Sequence, residues 1–582
     1  MIAAAARSPH ILRGYAFLAD GRRGALVGPR GDIAWMCLPG WDGDAVFAGL
    51  LGAPSTYAVV PARTFVWGGS YEEGTLIWRS RWVAGSALIE CREALAYPGD
   101  PHRAVLLRRI VAVREDAEVD VLLRPVADFG ADPVREPHRD AAGVWRARVG
   151  PWRLRWTGAP DATVDGDGGW TARIRLRAGQ SHDLVLEMSD RPLPDEPVDV
   201  EHTWAATESV WLAQQPDLGN SIAPRDAGHA YAVLRGMTSE GGGMVAAATT
   251  SLPERADQGE NYDYRYVWIR DQCIAGQSVA ALGPYPLLDD AVAFVTERLL
   301  ADGPGLAPAY TTAGAPVPPT RTLDLPGYPG ARPMIGNRVS EQFQLDIFGE
   351  ALLLFAVAGR YDRLSPDHRR AARIAAAAIG RYHDRPDAGI WELENRFWTH
   401  SRLSCIAGLR AAAECPATGV DAGACTALAG TLLADVNRDG THPRGFWQRG
   451  PGLPGADSAL LLPIVRGAMP IEDPRCLATF EEIRAQLCDD HYVYRFRHGD
   501  TPLPKAEGAF LLCGFAMAMA AAQLGLPVTA ARFFERNRAA CGTPGLFAEE
   551  FDVEQRQLRG NLPQAFVHAL LLESSVLLSA DG

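Results

Sequence analysis

The hydrophobic pattern of this chain changes its period between residues 190 and 226, and that change limits the folds open to it. Before it, apolar residues run together or alternate with charged ones in short segments between turns, as in half-buried strands. The clearest segments are Ala104–Val113, Val119–Leu123, Trp152–Trp156 and Ile174–Arg177. Many short strands with turns between them predict an N-terminal antiparallel β-sandwich over residues 1–190.

The pattern from residue 226 to the end is helical. Twelve runs are candidate helices, and the alanine-rich amphipathic run His368–His383 supports this interpretation. They start near residues 226, 271, 286, 340, 366, 399, 419, 457, 475, 507, 529 and 563. Twelve successive helices with short connections predict six helical hairpins closed into a double ring, an (α/α)6 barrel over residues 226–582. The proline- and aspartate-rich stretch that follows the sandwich predicts a linker over 191–225.

Composition argues against two classes of partner. The chain has 57 Lys and Arg against 70 Asp and Glu, a net charge of −13, and it lacks the basic block that nucleic-acid binding requires. Its longest nearly unbroken apolar run, Ala509–Ala522, is shorter than the roughly 20 residues that span a membrane and predicts a buried helix. The first ten residues do not resemble a signal peptide, and the ten cysteines form no Cys-x-x-Cys pair. We therefore expect a cytoplasmic protein with reduced thiols.

Aromatic and charged residues recur at the start of every second candidate helix. They are Tyr264–Asp271, Gly336–Asn337, Trp391–Glu392 with Thr399–Ser401, Asp457, Glu507 and Ala548–Asp552. If these helices form the inner ring of the barrel, all six sets gather at one end. We expect a concave, acidic and aromatic pocket there, which suits a polar ligand with apolar faces, such as a sugar.

The segment Asn261–Asp271 is the densest of these sets. Tyr264 and Trp268 are able to stack on a pyranose ring, while Arg270 and Asp271 are able to hydrogen-bond its hydroxyls. The alternative is a plain helix start, with Asp271 as the N-cap and the aromatic residues in the core.

Two glutamates are candidates for acid–base chemistry. Glu392 follows Trp391, and a carboxyl partly desolvated by tryptophan has a raised pKa that suits a general acid. Glu549 belongs to a run of three carboxylates in four residues and is a candidate general base. The alternatives are a solvated loop for Glu392, with Glu394 close by, and a solvated turn for Glu549. Glycoside hydrolysis needs two such carboxyl groups.

Motifs for other chemistry are incomplete. Asp435–Gly440 starts like a calcium-binding loop, but its twelfth position is Phe446 where a glutamate is required. Gly241–Gly243 is not followed by the Lys-Ser/Thr of a phosphate-binding loop, and His-Glu-x-x-His is absent. We therefore expect neither a metal ion nor a cofactor.

Several motifs together resemble glycoside hydrolase family 15, which contains glucoamylases, bacterial and archaeal trehalases, and glucodextranases. They are Arg13–Ala16 through Cys37–Pro39, Tyr264–Asp271, Gly389–Glu392, Thr399–Ser401, Ala548–Asp552 and Asn561–Phe566. The similarity runs in the same order from about residue 12 to residue 575. It implies an N-terminal sandwich, an (α/α)6 barrel and hydrolysis with inversion of configuration.

The resemblance also implies roles for individual residues. Glu392 matches the general acid and Glu549 matches the general base. The residues expected to bind the substrate are Tyr264, Trp268, Arg270, Asp271, Trp391 and His400. Two departures from the family pattern bear on the pocket: Leu393–Arg396 after the acid, and Ala516 where bacterial relatives tend to have tryptophan.

The predicted function is exo-acting hydrolysis of a small α-glucoside, either trehalose or a short maltooligosaccharide, with release of β-D-glucose. A glycoside phosphorylase of similar architecture is one alternative, in which phosphate replaces the water and its activating base. A catalytically inactive sugar-binding protein is the other, although such a protein would usually have lost one of the two glutamates.

Overall fold

The computed structural model describes residues 9–166, 168–254 and 261–580. The expectation that the chain lacks an export signal rests largely on residues 1–8, which lie outside these ranges. That expectation, and the cytoplasmic location drawn from it, stay predictions.

The N-terminal part is a sandwich of two eight-stranded antiparallel sheets, as predicted. Its strands are β1 Ala16–Ala19, β2 Gly24–Val27, β3 Asp32–Leu38, β4 Asp44–Phe47, β5 Thr56–Pro61, β6 Val66–Tyr71, β7 Trp78–Ala84, β8 Ala87–Leu95, β9 Arg103–Arg114, β10 Ala117–Arg124, β11 Val134–Arg139, β12 Trp145–Val149, β13 Trp152–Thr157, β14 Thr163–Val164, β15 Trp170–Leu176 and β16 Ser181–Ser189. One sheet has the order β1-β2-β3-β5-β10-β15-β14, with β4 paired to β3. The other has the order β11-β12-β13-β16-β9-β8-β7-β6.

Alternation along β9 explains the two arginines that interrupt its apolar sequence. Successive residues of a strand point to opposite faces of its sheet. Arg108 points into the sandwich, where it is fully buried, forms an ion pair with Glu93 and donates to the carbonyl of Tyr57 at 2.8 Å. Arg109 points outward and pairs with Asp183 at 2.8 Å. The buried arginine is therefore a core residue held by Glu93 and by the carbonyls of Tyr57 and Gly31.

The predicted linker contains a helix, α1 (Val200–Ala213), which begins at the N-cap Asp199. Its buried face packs on the sandwich, where Trp211 stacks on Tyr97 with ring centroids 4.4 Å apart and Trp204 lies 4.3 Å from the guanidinium of Arg92. Its apolar stripe is only one residue wide and lies among acidic and polar side chains. That narrow stripe is the reason the sequence pattern did not indicate a helix.

Each of the twelve predicted helices has a counterpart in the second part of the chain. They are α2 Pro224–Met237, α3 Ile269–Ala280, α4 Pro286–Asp302, α5 Asp346–Arg360, α6 Pro366–Tyr382, α7 Thr399–Glu414, α8 Ala422–Asp439, α9 Leu461–Val465, α10 Pro474–Leu487, α11 Leu511–Gln523, α12 Pro527–Arg538 and α13 Ala565–Ala580. The largest difference is at α5, which begins at Asp346 instead of near residue 340, because a short 3-10 turn occupies Arg338–Glu341.

The six helices expected inside the barrel form a closed ring. They contact one another in the order α3, α5, α7, α9, α11, α13 and back to α3, and each also packs against at least one outer helix. The described residues of α3, α9 and α11 are almost all buried. The apolar run Ala509–Ala522 lies mainly in α11, which confirms its assignment to a buried helix. Within the described ranges, no helix has both the length and the apolar character needed to cross a membrane.

Two glycines let α5 and α7 touch through their backbones. A Cβ atom on Gly408 would lie 2.2 Å from the carbonyl oxygen of Gly349, and a Cβ on Gly349 would lie 2.5 Å from that of Ser404. Real Cβ atoms do not approach other atoms so closely. The spacing of these inner helices therefore depends on both glycines.

Short strands and turns connect the helices. The strands are β17 Val267–Trp268, β18 Ala309–Tyr310, β19 Arg321–Thr322, β20 Met334–Ile335, β21 Cys488–Asp489, β22 Tyr492–Val493, β23 Ala509–Phe510, β24 Glu550–Asp552 and β25 Gln557–Arg559. Two four-residue helical turns lie at Ala127–Gly130 and Leu503–Ala506. The pairs are β17 with β18, β19 with β20 and β21 with β22, while β23, β24 and β25 form one small sheet.

A buried ion pair joins the sandwich to the barrel. Arg265 binds both carboxylate oxygens of Asp263, at 2.9 and 2.7 Å, and its remaining nitrogen donates to the carbonyl of Gly43 between β3 and β4 at 2.7 Å. Asp263 also accepts from the backbone N–H of Gly336 at 2.9 Å. The two side chains are almost fully buried and fully hydrogen-bonded.

We predict that Arg265→Met destabilises the fold, because it leaves the Asp263 carboxylate buried without its cation. Removing one partner of a buried ion pair costs about 3–5 kcal/mol. Urea-induced unfolding should show a loss of that order in the free energy of unfolding. The matched control is Arg175→Met, whose side chain is 76% exposed beside Glu118 and should cost under about 1 kcal/mol. Equal losses in the two variants would contradict this role of the buried pair.

Candidate active site

A cavity of about 550 Å³ lies at the end of the barrel where the inner helices begin. Its wall includes seven of the eight residues that the sequence singled out: Tyr264, Trp268, Arg270, Asp271, Trp391, Glu392 and Glu549. They come from segments that immediately precede or begin α3 and α7, and from the hairpin that precedes α13. The pocket expected from the order of the motifs is therefore present.

The segment before α3 is extended, so successive side chains point in opposite directions. One set faces the cavity and the other faces the sandwich. Asp263 and Arg265 point away from the cavity and form the ion pair with the sandwich. Tyr264 and Trp268 point into the cavity, with their ring centroids 5.5 Å apart in an edge-to-face arrangement. One stretch of backbone therefore positions the aromatic wall and anchors it to the other domain.

The first turn of α3 contributes a charged pair to the cavity. Arg270 donates to Gln344 at 2.6 Å and lies 3.5 Å from Asp346 and 3.7 Å from Glu392. Asp271 is the third residue of the helix, it is buried, and it lines the cavity, so it is not the N-cap. Burial together with Glu392 and Asp346 outweighs the opposing effect of Arg270 and raises the pKa of Asp271 to about 7.

Glu392 lies in a tight turn before α7. Its φ angle is +54°, a left-handed conformation that costs a non-glycine residue roughly 1–2 kcal/mol. The turn is held by Asp387, which accepts hydrogen bonds from the N–H of Gly389 and the hydroxyl of Ser401, both at 2.8 Å. The local strain at Glu392 is therefore compensated by a buried polar anchor.

The Glu392 carboxylate is hydrogen-bonded through one oxygen. Its Oε1 accepts from the indole N–H of Trp268 at 2.6 Å and from the amide of Gln344 at 3.3 Å, and the side chain is 26% exposed. Trp391, expected to be the aromatic neighbour of this acid, donates its indole N–H to Asp457 at 2.9 Å and packs edge-on against Phe510. The tryptophan that holds the Glu392 carboxylate is therefore Trp268.

Glu549 precedes β24 and is 8% exposed, facing the cavity. Burial and the neighbouring carboxyls of Glu254 and Glu550 raise its pKa well above the usual range, although Arg495 opposes them. The neighbouring Glu550 is fully buried, does not line the cavity, and accepts from the N–H of Gly508 at 2.9 Å. Of the two adjacent glutamates, the one predicted to be the base is the one that faces the cavity.

His400 is the predicted site residue that does not reach the cavity wall. It lies inside α7 and is buried, with Nε2 3.3 Å from the hydroxyl of Ser404 and no hydrogen-bond partner for Nδ1 among the described residues. Burial lowers its pKa, and nearby Asp346 and Asp457 oppose that shift. The structure places His400 behind the binding wall.

Sequence reasoning missed several polar residues of the site. Arg495 lines the cavity 4.3 Å from the ring centroid of Phe510 and donates twice to Glu507, at 2.7 and 3.0 Å. His498 also lines it and contacts Glu507 at 3.0 Å. Burial disfavours ionisation of Glu507, but Arg495 and His498 outweigh it and lower its pKa to about 2. Only Glu507 carried a signal in the sequence, as the residue before a predicted inner helix.

Glu254 and Gln344 were missed as well. Glu254 lines the cavity and accepts from the hydroxyl of Tyr264 at 3.0 Å, whereas Gln344 bridges Arg270 and Glu392. Both lie in irregular segments whose sequence has no periodic signal. Within the described ranges, no group of three or more His, Cys, Asp or Glu side chains is arranged to hold a metal ion.

The two parts of the chain match two family models. Residues 230–576 match the model described as glycosyl hydrolases family 15, and residues 4–201 match the model described as trehalase-like, N-terminal. The first match alone covers more than half of the chain.

Curated relatives match this chain over nearly its whole length. The chain is 30% identical to the trehalase of Mycobacterium tuberculosis, over 97% of this chain and 88% of the relative. It is 28% identical to the trehalase of Mycolicibacterium smegmatis, over 97% and 90%. It is 24% identical to the trehalase of Thermoplasma volcanium, over 95% and 91%.

A solved structure shares the fold. A bacterial glucoamylase complexed with acarbose superposes with a TM-score of 0.71 at 14% identity, covering 98% of this chain and 95% of that one. This similarity confirms the predicted β-sandwich followed by an (α/α)6 barrel. With the matching family model and the full-length relatives, it leads to one conclusion: the chain belongs to glycosyl hydrolases family 15 and is a glycoside hydrolase.

Proposed function

We propose that this enzyme is an inverting, exo-acting α-glucosidase that releases β-D-glucose from a small α-glucoside, with trehalose as the preferred substrate. The observation that carries the proposal is the convergence of Glu392 and Glu549 on one cavity, although they lie far apart in the sequence. Two carboxyls and an aromatic, acidic wall are what glycoside hydrolysis requires.

We assign binding of the terminal glucose to the residues that line the cavity just before α3 and in its first turn. Tyr264 and Trp268 offer apolar faces to the ring, and Arg270 and Asp271 offer polar groups to its hydroxyls. A concave site that encloses one chain end favours exo attack. The cavity volume of about 550 Å³ lies within the range of about 300–1,000 Å³ found for small-molecule sites.

Glu392 is proposed as the general acid. The indole N–H of Trp268 and the amide N–H of Gln344 both donate to its Oε1. Because these groups only donate, the proton of a neutral Glu392 has to reside on Oε2. That proton moves to the glycosidic oxygen as the bond between this oxygen and the anomeric carbon breaks.

Glu549 is proposed as the general base that takes a proton from the attacking water. The raised pKa of this buried carboxyl makes its ionised form a stronger base, and a general base is most effective when its pKa lies near the working pH. Attack of the water on the opposite face of the sugar from the leaving group inverts the anomeric centre.

The small substrate is supported by the relatives. The curated relatives from Mycobacterium tuberculosis and Mycolicibacterium smegmatis, which match nearly the whole chain, are trehalases. Of the unusual segment after the acid, only Leu393 lines the cavity, so it is the member placed to contact the second sugar ring. Glu394 points outward with its side chain 67% exposed and pairs with Arg396.

We predict that Glu392→Gln and Glu549→Gln each lower kcat by at least about 10²–10⁴-fold while remaining folded, because each removes a proton-transfer group. Steady-state assays of glucose release, together with circular dichroism, measure this. The matched control is Glu394→Gln, two residues from the acid, which should retain turnover within a few-fold of the parent. Near-parental turnover of either catalytic variant would overturn its assignment.

Proton NMR of the first product should show β-D-glucose when an α-glucoside is hydrolysed. Inverting enzymes hold their carboxyls about 6.5–9.5 Å apart so that a water molecule fits beside the sugar. Initial α-D-glucose would mean retention, and the base role of Glu549 would be wrong. Formation of glucose 1-phosphate in phosphate buffer would instead support the phosphorylase alternative.

Values of kcat/KM should favour trehalose over maltose and maltotriose, and all three over soluble starch. Contacts with the terminal glucose are common to these substrates, so discrimination has to come from hydrogen bonds to the second ring. Such bonds distinguish substrates by up to about 10⁴-fold, whereas apolar contacts discriminate weakly. A preference for starch over the disaccharides would contradict the proposed substrate class.

A further inference from the structure

We propose that Asp457 is a positioning residue for the general acid, on which it acts through Trp391. The proposal rests on the proposed function, in which Glu392 gives a proton to the glycosidic oxygen. Asp457 lies just before the inner-ring helix α9, and the proposed reaction leaves it without a role. Its carboxylate contacts the turn that carries the acid, and that contact supplies the role.

The Asp457 carboxylate is itself held in place. The residue is 2% exposed and is the N-cap of the 3-10 turn Ser458–Leu460, which leads into α9. Its Oδ1 accepts from the backbone N–H of Ala459 at 3.0 Å, and its Oδ2 lies 3.5 Å from Nε of Arg449. The carboxylate is therefore a fixed acceptor at the end of the inner ring where the cavity lies.

Trp391 connects this acceptor to the acid. Its indole Nε1 donates to Oδ1 of Asp457 at 2.9 Å, and its ring meets that of Phe510 edge-on with ring centroids 5.4 Å apart. Trp391 lines the cavity and immediately precedes Glu392 in the chain. The orientation of the indole is therefore set by residues from other parts of the barrel, and the acid is its direct neighbour.

The turn that carries Glu392 requires such a restraint. The N–H of Glu392 donates to the carbonyl of Gly389 at 3.2 Å, and the φ angle of Glu392 is +54°. A strained backbone conformation persists only where the surrounding contacts determine it more than once. Asp387 holds the start of the turn through the N–H of Gly389. Asp457 holds its end through Trp391, the residue next to the strained one.

Alignment of the acid matters most for a leaving group that needs a proton. A general acid acts within about 2.6–3.2 Å of the atom that it protonates, and a misplacement of about 1 Å costs up to roughly 100-fold in rate. When trehalose is cleaved, the leaving oxygen takes the proton of Glu392. When α-D-glucosyl fluoride is cleaved, fluoride leaves with the electron pair of the C–F bond as a stable anion. The fluoride substrate therefore reports the attack of water with little need for the acid.

The test compares kcat of Asp457→Leu for trehalose and for α-D-glucosyl fluoride. Leucine has a similar volume but offers no acceptor to the indole N–H. We expect kcat for trehalose to fall by about 10–100-fold, because the acid is no longer aligned with the leaving oxygen. We expect kcat for the fluoride to stay within about 3-fold of the parent, because its leaving group does not depend on Glu392. Damage to the whole site would lower both rates together.

Two further variants examine the same hydrogen bond. Trp391→Phe removes the indole N–H but keeps an aromatic ring, and it should show the same selective loss on trehalose. Adding Asp457→Leu to Trp391→Phe should then change kcat little, because both substitutions remove one contact. Asp457→Asn keeps an oxygen acceptor and a favourable N-cap, so it should recover most of the activity that Asp457→Leu loses.

The matched control is Asp473→Leu. Asp473 is the N-cap of the outer helix α10 and accepts from the backbone N–H of Arg475 at 3.0 Å and from its guanidinium at 2.6 Å. It does not line the cavity. Its replacement removes a capping carboxylate beside an arginine, so it should lower the thermal stability without changing the ratio of the two rates.

The inference is overturned if Asp457→Leu lowers both rates equally or leaves both at the parental value. Failure of Asp457→Asn to recover activity on trehalose would also overturn it. If Asp457→Leu does not fold, the same comparison of the two substrates with Trp391→Phe decides the question.

Glu392→Gln separates this inference from the proposed function. This variant should lose trehalose hydrolysis and keep most of its activity on the fluoride. Equal losses on both substrates would refute the acid role of Glu392 and with it the proposed function. The expected pattern in Glu392→Gln, together with equal losses in Asp457→Leu, would refute the present inference alone.

Discussion

The ion pair between Asp263 and Arg265 is the contact on which the arrangement of the active site depends. It lies in the extended segment before α3, and alternation along that segment sends the charged residues toward the sandwich and Tyr264 and Trp268 toward the cavity. Burying two charges is costly unless every hydrogen bond is satisfied, and here backbone groups of both domains complete the set. The N-terminal domain therefore supports the wall of the cavity.

Burial is the second constraint, since the site concentrates carboxyl groups where water is scarce. Three of them face a specific partner: Arg495 for Glu507, Arg270 for Asp346 and Trp268 for Glu392. Arg495 and His498 lower the pKa of Glu507, whereas burial and neighbouring carboxyls raise the pKa of Glu549, so one fold supplies carboxyl groups of opposite character.

Periodic features of the sequence were sufficient to predict the architecture, and irregular ones were not. The strands, the twelve helices and the pocket at one end follow from hydrophobic periods and from the order of the motifs. Helix α1 was not predicted because its tryptophans form an apolar stripe too narrow to produce a helical hydrophobic pattern. Glu254 and Gln344 lie in segments without a repeating pattern, and their roles depend on contacts with Tyr264 and Arg270 that only the folded chain makes. His400 shares a motif with site residues, yet the helical period turns it away from the cavity.

The backbone contact between Gly349 and Gly408 has a consequence for how this enzyme would lose activity. Helix α5 follows Gln344 and helix α7 follows Glu392, so the distance between these helices sets the hydrogen bond from the amide to the acid. Gly408 is nine residues into α7, roughly 13 Å along the axis at 1.5 Å per residue. A methyl group on Gly408 would push the two helices apart and so separate Gln344 from Glu392. The substitution would act from a position that no substrate touches. A defect in turnover would then originate in the spacing of two helices.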